Sequence, residues 1–389
     1  MKTSSGSRSA FVPFALGFRP LFLLAGAFAA ISMLLWTAQL ADVSPAWLWL
    51  HSPQWHAQEM LFGYTLAVIA GFLFTAVRNW TQLPTPSGST LAAVCLTWLA
   101  GRVLVLTPGF AWAALTDTVF AVSVALGIAW PLLRSRNRRN YFFIVAVLAL
   151  GAANLAYYGV ILGVLAVPAN AVLTAALDVV LFIMTVVAGR VVPMFTNNAV
   201  PGAGARRVTY LEYVALGAIL VLLGSDLAGS VRLAAIVAAV AAIAHAARLG
   251  LWAPFKTLRN PLLWILHVSY AWIIVHLALR AAAGFGWVPP GLATHALTVG
   301  AIGGLTLGMM TRSARGHTGR PLQAEGAEVA SYVLIELAAV ARVLTPLAFP
   351  AAYLAGIITG GLLWSAAFAV FTAAYWPILT HARIDGKPG

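Results

Sequence analysis

Long apolar stretches recur along the whole chain and are separated by short polar loops. A membrane-spanning helix needs about 20 mostly apolar residues, and about twelve stretches approach that length. The pattern predicts an all-α polytopic membrane protein that forms a single integral membrane domain over residues 1–389. The predicted spans are roughly 20–41, 55–78, 89–107, 110–133, 141–165, 168–195, 208–225, 229–247, 261–283, 291–312, 327–347 and 350–380.

Composition agrees with a membrane protein and excludes several other classes. Hydrophobic residues make up 61% of the chain and charged residues only 8%, whereas a soluble domain has about 25% charged residues. The net charge of +13 is spread over short loops, so we expect no nucleic-acid partner. The single cysteine, Cys95, excludes an internal disulfide bond and a cysteine-based metal site.

The positions of Lys and Arg predict the orientation in the lipid bilayer. With the N-terminus in the cytoplasm, the RSRNRR loop at 134–139 and the loops at 206–207, 248–259 and 312–320 are also cytoplasmic and hold most of the basic residues. Outer loops such as GFGWVPP, 284–290, contain none. We therefore expect an N-in, C-in membrane protein, with an uncleaved first helix rather than a signal peptide.

Four arginines depart from this trend, because they fall in the outer half of their predicted spans: Arg102, Arg232, Arg280 and Arg342. Two interpretations are open. One is that their long side chains reach the outer lipid headgroups. The other is that some of them bind an anion on the outer side, such as the propionates of a haem, for which Arg102, Arg280 and Arg342 are the candidates.

A weak repeat relates the second, sixth and tenth stretches. In each, a glycine is followed eight residues later by a polar residue at the cytoplasmic end: Gly71 and Asn79, Gly189 and Asn197, Gly304 and Arg312. One interpretation is chance, since the chain has 34 glycines. The other is three arcs of four helices, with these stretches in equivalent positions.

The eight histidines are the main candidates for chemistry, because an ionisable side chain inside a membrane is a functional candidate by default. The predicted topology sorts them by depth. His56, His276 and His295 lie in the outer half on three different helices, whereas His267 lies in the inner half of the ninth stretch. The others belong to an outer loop or to the cytoplasmic face: His51, and His245, His317 and His381.

Two outer histidines on different helices, His56 and His295, suit a haem whose iron has two axial imidazoles. The alternative is that both are interfacial residues that hydrogen-bond to loops. A copper ion would take a third histidine, either His276 or His267. These two are nine residues apart, so they point to opposite faces about 13 Å apart along one helix and cannot share a metal ion.

Other polar residues inside apolar stretches also have two interpretations. Asp178 and Glu336 are either proton-relay groups or neutral carboxyls that hydrogen-bond across helices. Glu59 follows His56 by three residues and is expected on the same helical face, where it would hydrogen-bond a ligand or carry a proton. Gln58 is expected to point away from that face.

The segment MMTRSARGHTGRPL, 309–322, collects charge at the inner face through Arg312, Arg315, His317 and Arg320. Ordinary positive-inside charge explains its arginines. It does not explain the compact Gly-His-Thr-Gly-Arg turn.

Long segments of the chain are similar to the NnrS family, haem- and copper-containing bacterial membrane proteins linked to nitric oxide metabolism. The resemblance covers essentially the whole chain and implies haem, copper and a role in nitric oxide response or denitrification, with nitric oxide as a ligand. The segments are WHAQEMLFGYTLAVIAGFLFTAVRNWT (55–81), GRVVPMFTNNA (189–199, with Arg190), RNPLLWILHVSYAW (259–272) and HALTVGAIGGLTLGMMTRSARGHTGRPL (295–322).

By motif matching, the resemblance implies that the family positions present here are His56, Glu59, His267, His295, Arg312, His317 and Arg320. One position differs, because the family pattern Trp-His-x-His-Glu has a second histidine where this chain has Gln58. Since residues 56 and 58 are expected on different faces, the difference affects a site other than that of His56. It puts a copper or second-haem site in doubt.

Twelve spans with histidines in the second and tenth are also similar to the core subunit of haem–copper oxidases. That family has a His-Pro-Glu motif in the sixth span and a His-His pair in the next helix. The sixth and seventh stretches here contain no histidine, so the oxidase copper site is absent. A distant architectural relationship stays open.

The most specific hypothesis is an NnrS-like haem protein, with copper as a second cofactor, that acts in the nitric oxide response. A transporter or metal-handling permease without redox catalysis is the alternative, and an assembly factor for a respiratory complex is a third. The sequence does not decide whether the protein turns nitric oxide over and is therefore an enzyme. It also does not identify the electron donor.

Overall fold

A computed structural model describes residues 11–43, 53–107 and 109–387. Twelve helical segments follow one another in the described chain and are joined by short loops. His51 and the tryptophans at 47 and 49 lie outside the described residues. The segments are α1 Phe18–Leu40, α2 Pro53–Thr81, α3 Gly88–Leu104, α4 Phe110–Arg134, α5 Phe142–Ile161, α6 Ala169–Ala199, α7 Thr209–Leu227, α8 Val231–Leu251, α9 Pro261–Gly284, α10 Pro290–His317, α11 326–348 and α12 Tyr353–Thr380.

Length and apolar composition identify the helices that are able to cross a bilayer. Ten helices in the described part of the chain meet that measure. The other two are α3, which has 17 residues, and α11, whose first regular portion, Gly326–Ala339, has only 14. The all-α, multi-pass membrane architecture is therefore confirmed, and the number of twelve spans stays a prediction.

The two ends of the chain meet, because α1 packs along α12. Glycines make this close approach feasible. A Cβ atom added to Gly26 would lie 2.8 Å from the Thr372 hydroxyl, and one added to Gly361 would lie 2.2 Å from the Thr37 hydroxyl. Small residues that bring helix backbones together are the usual means of association inside a bilayer, where apolar burial contributes little.

The centre of the bundle is formed mainly by α2, α9 and α10, whose most apolar windows are 83%, 61% and 67% buried. An apolar cavity of about 80 Å³ lies among α2, α6 and α10, with Phe22 and Leu266 completing its wall. The three helices related by the weak glycine repeat thus line one space. The repeat itself, and the three arcs of four helices, stay predictions.

Three helices contain π-helical turns in the described structure. These segments are Glu59–Thr65 in α2, Ala296–Gly303 in α10 and Val340–Leu344 in α11. A π-helical turn adds a residue between hydrogen-bonded partners and is frequently found at functional sites. Two of the segments begin next to His56 and His295, and the third contains Arg342.

Candidate functional site

A cluster of His56, His295 and Arg342, called the outer cluster after its predicted side, brings together residues from α2, α10 and α11. The two imidazoles are neighbours, and the Arg342 guanidinium lies near both. Arg342 Nη2 lies 3.2 Å from His295 Nε2. The sequence analysis placed these residues at one depth, and the structure shows that they also converge laterally.

The His295 ring is held in a single orientation by its own helix. Its Nδ1 lies 2.7 Å from the carbonyl oxygen of Gly291. A carbonyl only accepts, so this nitrogen carries the proton and Nε2 presents a lone pair. A histidine whose Nδ1 donates to the backbone and whose Nε2 is free of a proton has the form that binds a metal ion.

His56 is oriented by an aromatic neighbour. Its ring stacks on Trp36 of α1, with ring centroids 5.1 Å apart and an angle of 6° between the planes. His56 Nδ1 is buried and has no hydrogen-bond partner among the described residues. Arg342 Nη1 is likewise buried without a partner in the described part of the chain. These unpaired polar atoms leave donor and acceptor capacity for a bound group.

Beside this cluster, α2 contributes Glu59 to a second, fully buried polar network. Arg102 of α3 donates through its Nη2 to both carboxylate oxygens of Asp117 of α4, at 2.6 and 2.7 Å. Its Nε lies 3.1 Å from Glu59 Oε2. Tyr158 also donates to Asp117 Oδ2, at 3.0 Å. Glu59 therefore contacts Arg102 while His56 contacts Trp36, so the two side chains have different partners despite their three-residue spacing.

Gln58 belongs to the Arg102 network rather than to the histidine cluster. Its Nε2 donates to Asn154 Oδ1 at 3.3 Å, and Asn154 Nδ2 donates to Asp117 Oδ2 at 3.2 Å. This agrees with the expectation that positions 56 and 58 have different surroundings. A histidine at position 58 would lie beside Asn154.

The other outer arginines differ from Arg342. Arg280 contacts Asp178 Oδ1 at 2.6 Å and also forms an ion pair with Asp226. Arg102 and Arg280 thus neutralise carboxylates of the protein, an arrangement that neither interpretation of the outer arginines included. Arg232 is exposed, as expected for a residue at the headgroups. Arg342 has no ion pair with a described carboxylate and instead lies over the Tyr353 ring.

His267 and His276 occupy separate places, as their spacing predicted. His267 Nδ1 lies 3.0 Å from the Leu263 carbonyl and Nε2 lies 3.3 Å from the Trp252 carbonyl, so backbone groups engage both ring nitrogens. His276 Nδ1 contacts the Ala293 carbonyl at 2.7 Å. Among the described residues, no group of three His, Cys, Asp or Glu side chains could hold a metal ion.

The polar residues of the inner segment pack against aromatic rings. The Arg312 guanidinium lies 4.0 Å from the centroid of the Phe195 ring. The His317 ring lies 5.6 Å from that of Phe18, and Arg383 donates to the His317 carbonyl at 2.9 Å. These contacts tie the end of α10 to α6, α1 and the C-terminal tail.

Arg190 and Arg320 are also anchored at this face. Arg190 donates to Asn140 Oδ1 at 2.6 Å, which links α6 to the turn before α5. The Arg320 backbone amide donates to the Arg315 carbonyl at 2.9 Å and closes the Gly-His-Thr-Gly-Arg turn. Glycine is required in that turn because Gly319 has a φ of +75°.

Sequence reasoning missed several residues of these sites, and Trp36 and Asp117 are the two that contact His56 and Arg102. Asp117 left a signal, because it is the single acidic residue in the stretch 110–133 and such a residue needs a partner. Trp36 left none, because tryptophan is common near membrane interfaces. No pattern distinguishes a tryptophan that stacks on histidine from one at the interface.

Comparison with known proteins gives the same family as the motifs. The family model described as NnrS protein matches residues 12–383, nearly the whole chain. No curated protein matches the chain. The match spans all twelve helical segments and the outer cluster, so this chain belongs to the NnrS family.

Proposed function

We propose that the protein binds a haem through His56 and His295 and acts in the bacterial response to nitric oxide. The observation that carries the proposal is the convergence of these two histidines with Arg342 at the outer ends of α2, α10 and α11. Membership of the NnrS family and the π-helical turns beside the three residues add support.

The side chains fit such a group in their donor chemistry. His295 has an unprotonated Nε2, which accepts from Arg342 Nη2 at 3.2 Å and would exchange this partner for the iron, and His56 has an unpaired ring nitrogen. Arg342 would pair with a propionate, because its Nη1 is buried and has no partner among the described residues. Arg102 and Arg280 fit this role less well, since protein carboxylates already neutralise both.

A bound haem would supply an iron that changes oxidation state and that would take nitric oxide in place of one of the two histidines. The residues of this chain would fix its position. Trp36 would hold the His56 ring by stacking, and the Gly291 carbonyl would set the His295 tautomer. Glu59, on the turn below His56, would keep the Arg102 guanidinium in place through their ion pair.

A copper ion finds less support in the described side chains. Backbone carbonyls engage both nitrogens of His267, and His276 has no histidine or carboxylate pair near enough to complete a metal site. Gln58 stands where the family pattern has a second histidine. We therefore propose haem as the cofactor, and this proposal does not depend on copper.

We further propose twelve membrane spans with both chain ends in the cytoplasm of a bacterium and the histidine cluster facing the outer side of its inner membrane. The distribution of Lys and Arg supports this orientation. In this arrangement nitric oxide would reach the site from the periplasm or from the bilayer.

The direct test is the absorption spectrum of the purified protein from cells supplied with haem. We expect a Soret band that shifts when dithionite reduces the protein and again when nitric oxide is added. A colourless protein at full haem supply would overturn the proposal and favour a transporter or permease without redox catalysis.

A further inference from the structure

Glu336 of α11 is a half-buried carboxylate that lies outside the outer cluster and joins two helices. Each of its side-chain oxygens accepts one hydrogen bond from α9. Ser269 Oγ donates to Oε1 at 2.8 Å, and Trp272 Nε1 donates to Oε2 at 2.8 Å. The two donors are three residues apart and therefore lie on one face of α9. Of the two interpretations of Glu336 in the sequence, these contacts support hydrogen bonding across helices.

The same two side chains of α9 lie directly against the π-helical segment of α10. A Cβ atom added to Gly300 would lie 2.3 Å from Trp272 Cγ, and one added to Gly304 would lie 2.0 Å from Ser269 Oγ. Glu336 Oε1 would lie 3.0 Å from the atom added to Gly304. While Glu336 holds the indole and the hydroxyl in place, a residue larger than glycine does not fit at either position. These contacts therefore select one register of α10 against α9.

The register of a π-helical segment determines the direction of the side chains on either side of it. Loss of the added residue would rotate the two flanking parts of the helix by about 100° relative to each other, since an α-helix has 3.6 residues per turn. His295 directly precedes the segment in α10. A shift by one residue would also bring Val299 or Ala301 against Trp272, where a Cβ atom has no room. The contact with Trp272 therefore opposes a change of register.

Glu336 also lies beside the π-helical segment of its own helix. The amide of Val340, the first residue of that segment, donates to the Glu336 carbonyl. Arg342 belongs to the same segment, and its Nη2 lies 3.2 Å from His295 Nε2. The main chain of Glu336 thus adjoins the segment that contains Arg342, while its side chain holds the groups that contact the segment after His295.

We propose that Glu336 is a positioning residue for the outer cluster. Through Ser269 and Trp272 it keeps the two π-helical segments in the register in which His295 and Arg342 meet. Without its carboxylate, the indole N–H and the hydroxyl would lose their acceptor, and the indole would be able to move away from α10. The role of the outer cluster as a haem site rests on the proposed function, whereas the register of the two segments does not.

Amide hydrogen exchange of the full-length protein, as purified in detergent, tests the register directly. Glu336→Ala should raise the exchange rate by about tenfold or more in residues 296–303 and 340–344, because two hydrogen bonds to a carboxylate no longer oppose local opening. The π-helical segment of α2, residues 59–65, is the internal control and should exchange as in the wild type. Equal increases in all three segments, or no increase in the first two, would overturn the proposal.

Two further variants complete the exchange experiment. Glu336→Gln keeps the side-chain length and one acceptor oxygen, so it should give the same pattern with a smaller increase, and it replaces Glu336→Ala if that variant does not fold. Glu325→Gln is the matched control, because this glutamate precedes the first turn of α11 and its side chain is 75% exposed. It should leave the exchange of both segments at the wild-type rate. Wild-type exchange in the folded Glu336 variants would refute the role of the carboxylate.

The haem spectrum separates a positioning role from a purely structural one, and this measurement rests on the proposed function. Glu336→Ala should keep its haem but shift the low-spin electron paramagnetic resonance signal and the reduction potential, while Glu336→Gln should stay near the wild type. A wild-type signal and potential in Glu336→Ala, together with raised exchange, would show that the outer cluster does not depend on Glu336. A wild-type protein without haem would refute the proposed function, whereas the exchange rates would still decide the role of Glu336 in the register.

Discussion

At the residue scale, the strongest expectation concerns the two outer histidines. His56→Ala and His295→Ala each remove one imidazole from the cluster, so each variant should lose the low-spin haem spectrum while still inserting into the membrane. His381→Ala is the control, because that ring lies at the opposite end of the bundle and contacts the Pro377 carbonyl. Absorption and electron paramagnetic resonance spectra of the three proteins provide the measurement. Wild-type spectra in both cluster variants would exclude ligation by two histidines.

The outer arginines allow a second comparison, because the structure gives them different partners. Arg342→Lys should lower haem occupancy or shift the reduction potential, since a lysine cannot reproduce a bidentate contact with a propionate. Arg102→Lys should leave the haem spectrum unchanged but destabilise the protein by about 1–3 kcal/mol, because its two bonds to Asp117 are charge-assisted and buried.

Redox titration and thermal unfolding separate these two effects. If Arg342→Lys keeps both the wild-type occupancy and the wild-type potential, Arg342 makes no propionate contact that requires its guanidinium. A spectral change in Arg102→Lys without loss of stability would instead assign the propionate to Arg102.

The sequence predicted some of these side chains better than others. Depth along each helix follows from residue number, so His56, His295 and Arg342 were placed at one level from the topology alone. The partner of a buried arginine does not follow from residue number, since it depends on the lateral packing of helices. Arg102 and Asp117 are 15 residues apart in sequence, on adjacent helices, and only the fold shows that they meet.

At the element scale, the π-helical turns are the feature that the sequence did not predict. Hydrophobic periodicity does not reveal an added residue when nearly every position is apolar, as in Ala296–Gly303. The amphipathic signal that marks such irregularities in soluble helices is absent from a buried membrane helix. The uniformly apolar character of these stretches made the helices predictable, and the same uniformity concealed their internal irregularities.

The π-helical segment of α10 depends on close contact with α9. A Cβ atom added to Gly300 would lie 2.3 Å from Trp272 Cγ, and the Trp272 indole is fixed by its hydrogen bond to Glu336 at 2.8 Å. Gly300→Ala should therefore destabilise the protein by about 1–3 kcal/mol, the usual cost of overpacking.

A glycine without close neighbours provides the control for that substitution. Gly217 lies within α7 and has no atom within 4 Å of an added Cβ. Gly217→Ala should be neutral or slightly stabilising, because alanine has the higher helix propensity. Thermal unfolding of both variants in the same detergent provides the measurement. Equal stability of the two variants would show that α9 can move away from α10 at little cost.

At the scale of the whole molecule, contacts between loops show which helix ends lie at the same face of the bundle. Arg19, at the start of α1, donates to the Leu379 and His381 carbonyls at 3.0 and 2.6 Å. The Ile384 amide donates to the Thr318 carbonyl in the loop after α10. The start of α1, the loop after α10 and the end of α12 therefore share one face. Since α12 is long enough to cross, this arrangement agrees with a crossing by α11, as the twelve proposed spans require.

The same reasoning applies to α3. Trp80 at the end of α2 stacks on Phe143 at the start of α5, with ring centroids 5.5 Å apart. The ends of these helices therefore lie at one face, so α3 and α4 together must cross and return. Since α4 meets the length for a span, this arrangement agrees with a crossing by α3, although α3 has only 17 residues. These contacts add structural support for an even number of spans, which the apolar pattern alone counted as twelve.

Reporter fusions test the complete topology. With both ends of the chain in the cytoplasm, fusions after residues 137 and 204 should report the cytoplasm, and a fusion after residue 287 should report the periplasm. The physical reason is the excess of Lys and Arg in the first two loops and its absence from the third. The loop that contains residue 204 lies on the same side as the loop that contains Lys256, since Lys256 donates to the Gly202 carbonyl at 3.1 Å. A periplasmic signal after residue 137 would invert the bundle and place the His56 cluster at the cytoplasmic face, where nitric oxide and electron donors would reach it from the other side.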